Sequence, residues 1–541
     1  MSKSLISIKP VGGVGQIGSN MTLINYEGIS ILIDAGILFP YEDFFDIDYL
    51  IPDLSKIEKL DYLIITHGHE DHIGAVYNVI EKFPNISIHA PRFAAALIRK
   101  KLEFNQKPYP IKVVNPNTPL TFNDLNIHYI EVNHSIPDTF GLYLAIDKMD
   151  FGMFFASDFK IDFKTKLEPP FNFDKLKKLS INHKRKIMLA DSTNITSGQR
   201  QTPSEEDLIP SFDHIFEKAG GRIFITLFSS NVHRVHNIIT LAEKHQCHVV
   251  PYGRSMISYL NSAIEEGIVP NNEKVIKKAE SITKNQQNII VLLSGCQGDF
   301  LGTFRRVAMG EDSQFKITPD DTFVVSSKAI PGNEKKINLL LNKISTVGCK
   351  LFTPSDLLIH VSGHPGKDDL TYLYNEFRPT DIIPIHGEVH FLREHIEHIQ
   401  AVAKFATPHF LLNGDSIEID PFLNIKIVQG EKSDPVIYHG KHIVLEKEKI
   451  SERRKLACNG SCFLSISLDF RQNYKQHSYH LLGIPKYIFD NEEHFKTFLD
   501  SEFSRANFKD KDKAAEELKN SIRRYFDSKL GYKPTTIVHI I

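Results

Sequence analysis

Six consecutive residues narrow what this chain can become more than any other feature: His67-Gly68-His69-Glu70-Asp71-His72. They follow directly on the apolar run LDYLIIT and precede a helical pattern, so the segment stands at the end of a strand. Three imidazoles and a carboxylate within six residues are too many polar groups to bury unpaired, whereas divalent cations satisfy such a set. In this HxHxDH arrangement His67 and His69 can turn to one cation while Asp71 and His72 face a second.

The surroundings read as layered sheet and helix. LISIKPVGG, NMTLINYEG and ISILIDAG have the turn-bounded apolar runs of strands in a mixed or antiparallel sheet. AVYNVIEKF and RFAAALIRKKLEF carry helical spacing, and LNIHYIEV, GLYLAID and GMFFASD return to strand. From about residue 205 the texture changes: EEDLIPSFDHIFEKAG, RIFITLF, VHNIITLAEKHQ, CHVVPYG, NIIVLLSG and DTFVVSS alternate helix and buried strand, as a parallel α/β layer does. After LFTPSDLLIHVSGH the strand and loop units resume, ending in TDIIPIHGE, and are assigned to the first domain. The charged stretch GKHIVLEKEKISERRK reads as a linker or an exposed strand edge. CFLSISLDF, AAEELKNSIRRYFDSKLGY and TTIVHII form a small α/β appendage. The expected organisation is a hydrolase domain from residues 1–204 and 353–430, an inserted α/β domain at 205–352, a linker at 431–455 and a C-terminal domain at 456–541.

Composition excludes more than it assigns. With 541 residues, 41% of them hydrophobic, there is apolar sequence for several cores, yet no run approaches the roughly 20 residues of a membrane helix. MSKSLISIKP has no long apolar segment or small-residue cleavage site, so the expected compartment is the cytoplasm. A formal net charge of −2 means that any nucleic-acid binding must rest on local basic surface or bound cations. Cys247, Cys296, Cys349, Cys458 and Cys462 form no paired zinc signature and are expected to be reduced core thiols. Gly13-Val14-Gly15-Gln16-Ile17-Gly18 satisfies GxGxxG, but no helix pattern opens at its third glycine. A tight turn near the active face is expected instead of a dinucleotide site.

The histidine run resembles that of the metallo-β-lactamase superfamily, and the superfamily's remaining ligands have counterparts downstream. They are His134 in Asn133-His134-Ser135-Ile136-Pro137-Asp138, Asp158 in Ala156-Ser157-Asp158, which would be the bridging carboxylate, and His386 in Pro384-Ile385-His386-Gly387-Glu388. Asp34, in Leu32-Ile33-Asp34-Ala35-Gly36, matches the aspartate that orients the histidine loop. The long interval between Asp158 and His386 resembles the β-CASP insertion of nucleic-acid-processing members, with Asp191, His364 and His386 as its marker residues. NHSIPD, ADSTN, FSSNVHR, SGCQGD, SSKAIPGNE, HVSGH and PIHGE follow the motifs and order of the bacterial ribonuclease J family, and ERRKL with the final segment is similar to its linker and C-terminal domain. Ala75 replaces a usual glycine and Cys296 a usual serine.

The resemblance implies a metallo-β-lactamase αββα sandwich with an inserted β-CASP α/β domain and a small C-terminal α/β domain. It implies two divalent cations, zinc or manganese, held by His67, His69, Asp71, His72, His134, Asp158 and His386. It further implies hydrolysis of RNA phosphodiesters, in which Asp71 orients the attacking water and His364 stabilises the transition state or protonates the leaving oxygen, its tautomer held by Asp191. FSSNVHR and HVSGH, through Ser230, Asn231, Val232, His233, His360, Val361, Ser362, Gly363 and His364, would bind a 5′ monophosphate and set 5′→3′ exonucleolysis beside endonucleolysis. Single-stranded RNA, a homodimer or homotetramer and an RNA-decay complex are the implied partners, in rRNA processing and mRNA decay. The rival readings are another β-CASP nuclease acting on RNA 3′ ends or DNA, a weakly catalytic RNA-binding partner of an active paralogue, and a small-thioester hydrolase. NHSIPD and HVSGH argue against the first, the complete ligand set against the second and the insertion against the third.

Overall fold

The computed structural model describes residues 6–40, 47–283, 286–330, 332–440, 443–469, 474–485 and 492–541. It resolves into two compact units. The larger holds the residues up to Phe39 and Leu50–Pro435, and the smaller holds Val436–Ile541 with the segment ending at Tyr49.

In the larger unit two sheets face each other. One has the order Ile425–Val428, Ser416–Ile419, Ile6–Gly12, Met21–Tyr26, Ile29–Ile33, Tyr62–Ile64, Ser87–Ala90, Ile111–Val113. The other has the order Thr407–Pro408, Asp381–Ile385, Arg185–Asp191, Phe151–Phe155, Phe140–Ile146, Leu125–Glu131, Leu120–Phe122. Strand alternation explains why two layers form. Leu142, Leu144, Met153, Phe155, Ile187, Leu189 and Ile383 point inward against Ile8, Ile24, Ile31, Ile33 and Ile64 of the facing sheet. Their chain neighbours Tyr143, Ala145, Phe154, Met188 and Ile382 point outward, where Leu176, Leu370, Leu373, Phe377 and Ile399 of helices Phe173–Ser180, Lys367–Phe377 and Val389–Val402 cover them. Helices Val76–Lys82 and Arg92–Phe104 make the crossovers between parallel strands of the first sheet. This is the αββα sandwich.

The insertion is visible in the strand register. Arg185–Asp191 and Asp381–Ile385 are parallel neighbours with Asp191 opposite Ile385, and the chain between them leaves the sheet and returns. Within that excursion lies a five-stranded parallel sheet in the order His248–Tyr252, Ile289–Leu293, Ile223–Thr226, Thr322–Val325, Lys350–Phe352. Ile223–Thr226, first in sequence, is central, so the strand order switches direction around it. The crevice outside the carboxyl ends of such strands is where open α/β sheets take ligands. Phe228–Asn231 follows the carboxyl end of Ile223–Thr226.

The smaller unit pairs Tyr474–Leu482, Ser461–Asp469 and Thr535–Ile540, and Cys462, Leu464, Ile466, Phe495, Leu518, Ile522 and Phe526 form its core with helices Glu492–Arg505 and Lys511–Leu530. The stretch read as linker or strand edge holds the short edge strand Ile443–Val444, with Val444 exposed, and then the helix Lys447–Asn459, nearly all of which faces solvent. One expectation needs correction. Cys296, Cys349 and Cys462 are core thiols, but Cys247 is half-buried and Cys458, on that solvated helix, is exposed. Among the described residues no helix is long and apolar enough to cross a membrane.

Candidate metal centre

The histidine run begins just beyond the strand Tyr62–Ile64, where Asp34 fixes it. Asp34 Oδ1 accepts from the Thr66 amide at 2.8 Å, and its Oδ2 accepts from Thr66 Oγ1 at 2.8 Å and from His72 Nδ1 at 2.7 Å. Gly36 has no side chain for a steric reason: a Cβ there would lie 1.6 Å from the Asp71 carbonyl oxygen. The other side chains project from strand ends or from the turns beyond them, His134 after Leu125–Glu131, Asp158 after Phe151–Phe155 and His386 after Asp381–Ile385. Asp34, Ser157 and His386 adopt left-handed backbone with φ of 61°, 56° and 51°, a cost that local packing must sustain to aim these side chains.

Hydrogen-bond partners assign the tautomers. His72 gives its Nδ1 proton to Asp34 at 2.7 Å, and His134 gives its own to the Gly363 carbonyl at 2.7 Å. Thr66 Oγ1 donates to Asp34, so it accepts from His67 Nδ1 at 3.0 Å. His67 and His134 therefore turn an Nε2 lone pair inward, as metal-binding imidazoles do, while His72 Nε2 faces the Asp158 carboxylate at 3.2 Å. Among the described residues His67 Nε2 is buried with no hydrogen-bond partner, and His386 Nε2 lies 3.3 Å from Asp71 Oδ2. His69 Nδ1 and His134 Nε2 lie 3.0 Å apart, a contact that two lone pairs sustain only with a proton or a cation between them.

Two groupings emerge around one carboxylate. His67, His69, His134 and Asp158 bring ligand atoms within 4.8 Å of one another, and so do Asp71, His72, Asp158 and His386. Asp158 belongs to both, with His72 Nε2 3.2 Å from its Oδ2 and His386 Nδ1 2.9 Å from its Oδ1. The electrostatics differ between the halves. Burial pushes His67 and His134 well below the ordinary imidazole range and His69 down to about 4. For His72 and His386 burial also opposes charge, but Asp158 and its neighbouring carboxylates outweigh it, raising His72 well above that range and His386 to about 10. One half is a set of neutral donors and the other a set of tight ion pairs, and divalent cations fit both. A third grouping, Asp158, Asp191, His364 and His386, adjoins them.

His364 stands at the mouth. Its Nδ1 donates to Asp191 Oδ2 at 2.7 Å, and its side chain is 20% exposed; Asp71 is 27% exposed, while the other ligands of the second grouping are at most 3% exposed. Sequence reasoning passed over Asn20, which follows the glycine turn. Its amide lies 3.2 Å from Asp71 Oδ2 and 2.9 Å from His72 Nε2. The turn Gly13–Gly18 lies beside the centre, as Val14–Gly15 pairs with Gly387–Glu388, next to His386.

The two candidate RNA-binding loops meet but are not uniformly exposed. Asn231 caps the helix Val232–Lys244, accepting from the Arg234 amide and donating to Glu205. Val232 and Val361 are buried, and His233 Nε2 lies 3.1 Å from Glu168 Oε1. His360 contacts Arg234, and Ser362 Oγ accepts from the His364 amide at 3.2 Å. Ser230 and Ser362 are half-exposed. Gly363 touches the metal centre directly, since a Cβ there would sit 2.7 Å from the His134 ring.

Comparison with known proteins agrees with this geometry. Residues 220–344 match the family model "Ribonuclease J, beta-CASP domain", residues 14–139 match the metallo-beta-lactamase superfamily, and residues 358–409 match the "Zn-dependent metallo-hydrolase RNA specificity domain". The chain is 32% identical to a Ribonuclease J of Synechocystis, over 86% of this chain and 73% of that one. The chain belongs to the ribonuclease J family. A Helicobacter pylori Ribonuclease J is 31% identical over 85% of this chain and 67% of its own length, and a Sinorhizobium meliloti one 29% over 98% and 96%. A solved protein of unknown function from Enterococcus faecalis shares the fold at 14% identity, with a TM-score of 0.55 over 76% of this chain and 99% of its own. As a ribonuclease J family member with this donor set, the chain is a metal-dependent ribonuclease.

Proposed function

We propose that the chain degrades RNA from a 5′-monophosphorylated end in the 5′→3′ direction and also cuts internally. Two divalent cations, zinc or manganese, would be held by the two groupings that share Asp158. The observation that carries this reading is the loop His360–His364. It touches His134 through the Gly363 carbonyl, reaches Asp191 through His364 and lies against the inserted domain through Arg234. Phosphate-binding groups on such a loop would keep a fixed spacing from the hydrolytic centre, which is what a one-nucleotide register requires.

When bound, the cations supply Lewis-acid chemistry, acidifying water and neutralising charge on a phosphodiester. The chain's residues supply the rest. Asp71, steadied by Asn20, is the accessible carboxylate and orients the attacking water. His364 presents the nitrogen that Asp191 leaves free and passes a proton to the leaving 3′ oxygen. Ser362 and Ser230 offer hydroxyls to the terminal phosphate, and the other residues of the two loops hold them in place. RNA would run between the sandwich and the inserted sheet, in a homodimer or homotetramer acting in cytoplasmic rRNA processing and mRNA decay, alone or within a decay complex.

The test is digestion of 5′-monophosphorylated, 5′-triphosphorylated and circular RNA, with single-stranded DNA as control. Monophosphorylated RNA should be shortened stepwise, triphosphorylated RNA should resist because a site sized for one phosphate excludes three, and circular RNA should be nicked. Loss of a hydrogen bond to a charged group costs roughly 1.5–3 kcal/mol, so Ser362→Ala should slow monophosphate-dependent digestion about tenfold or more and largely spare circular RNA. Equal digestion of both 5′ ends, or an equal loss on both substrates in Ser362→Ala, would reduce the reading to a plain β-CASP endonuclease.

A further inference from the structure

Arg234 is an arginine with no exposed side-chain surface, and its guanidinium joins both crossings between the sandwich and the inserted domain to a strand end of the inserted sheet. Its Nε donates to Glu205 Oε2 at 3.0 Å and its Nη2 to Glu205 Oε1 at 2.8 Å, where the chain passes into the insertion. Its Nη1 donates to the Ser326 carbonyl at 2.7 Å, at the carboxyl end of the strand Thr322–Val325, and lies 3.1 Å from Ser326 Oγ. The same Nη1 lies 3.0 Å from His360 Nδ1, and Nη2 donates to the Val361 carbonyl at 3.1 Å, where the chain passes back. Ser326 completes the arrangement by donating to the Ile359 carbonyl at 2.6 Å.

The loop held this way has no helix or strand of its own between Phe352 and Lys367. It nevertheless carries Ser362, Gly363 and His364. A buried guanidinium turns five donors in a planar fork towards two carbonyls, a hydroxyl, an imidazole and both oxygens of a carboxylate, the two protons of Nη1 being shared among three of them, and no other side chain combines that number of donors with that geometry. We infer that Arg234 is a positioning residue for the reaction: with Glu205 it clamps the outgoing and returning chain crossings together and so sets where Ser362 and His364 stand relative to Asp158. It acts through the loop and touches neither RNA nor cations. The inference rests on the proposed role of the loop 360–364.

The test is Arg234→Lys, which keeps the charge but cannot make the fork, and Glu205→Gln, which keeps the shape but weakens the clamp. Both are assayed in the full chain with melting temperature, metal content, kcat and KM on circular RNA and on 5′-monophosphorylated RNA. At a temperature where the protein is folded and fully metal-loaded, Arg234→Lys should lower kcat on both substrates about tenfold or more, with KM on circular RNA within about threefold of wild type. Glu205→Gln should lower kcat in the same direction by less. A residue that only stabilises the fold would lower the melting temperature and leave kcat per folded molecule unchanged, and that result overturns the inference. If Arg234→Lys does not fold, an unchanged kcat in Glu205→Gln overturns it alone. Should wild type prove indifferent to the 5′ end, the proposed substrate preference fails, while kcat on circular RNA still decides the role of Arg234.

Discussion

Around Asp158 the side chains hang from strand ends or from the turns beyond them, in sheets whose cores hold them independently of the inserted domain. His360–His364 is different: it has no strand or helix, and its place is set by Arg234, Ser326, His134 and Asp191, far away in sequence. On the proposed reading, the contrast separates what binds from what aligns. A cage built on strand ends tolerates change elsewhere, whereas a loop held by a clamp responds to residues that never approach the substrate.

The largest effect expected is that of His69→Ala. It removes a neutral donor from the first grouping, and metal content and cleavage should fall together, with rate losses above about 10³-fold. Full metal content with wild-type turnover would detach His69 from the centre. His364→Ala sharpens the contrast from the loop side. Both cations should be retained while rate falls about 10²–10⁴-fold, as for an acid–base group. Parallel loss of metal would instead make the third grouping, with Asp191 and His364, a binding site.

Asp34→Asn comes next in size. The amide has one acceptor oxygen where the carboxylate has two, so its NH2 must face either the Thr66 amide or the His72 Nδ1 proton, and metal affinity should drop about 10–100-fold. Titration of metal-depleted protein measures it, and unchanged affinity would show that the histidine run needs no such support. The smallest effect concerns the clamp. Burial works against the charge of Glu205, but Arg234 and Lys160 outweigh it and bring its pKa down from 4.5 to about 2. Its contribution to stability is therefore complete above pH 4.5 and disappears as pH falls towards 2. Melting curves between those limits should fall less steeply in Glu205→Gln than in wild type; identical slopes would mean the pair contributes nothing.

The histidine run of the candidate cage was legible because its signal is local, whereas Asp34, His134, Asp158 and His386 are individually ordinary and were assigned through the family resemblance. HGHEDH, DAG, NHS, ASD and PIHGE each place a polar side chain directly beyond an apolar strand, and strand patterning showed sheet, while the stacking of two sheets came only from the family resemblance. The insertion was legible as a change of texture to alternating helix and buried strand. The clamp was not. Arg234 sits in a helical pattern where an arginine ordinarily faces solvent, and nothing in FSSNVHR says that it points to Glu205 and Val361 across the fold. Asn20 escaped notice because glycine turns hide the direction of the next side chain. Asn231 was read as a phosphate donor, yet its oxygen caps a helix, a role asparagine takes as readily. The helix Lys447–Asn459 lacks the apolar stripe that identifies amphipathic helices, so its charge read as a linker.

The most direct test of the central claim, two cations sharing Asp158, is the metal content of purified wild-type and Asp158→Ala protein, each saturated with zinc or manganese and freed of excess. The account predicts two tightly held ions per chain in wild type and the loss of both, or of all but a weakly held one, in Asp158→Ala, with folding retained. A single ion in wild type, or two ions retained without Asp158, would contradict it.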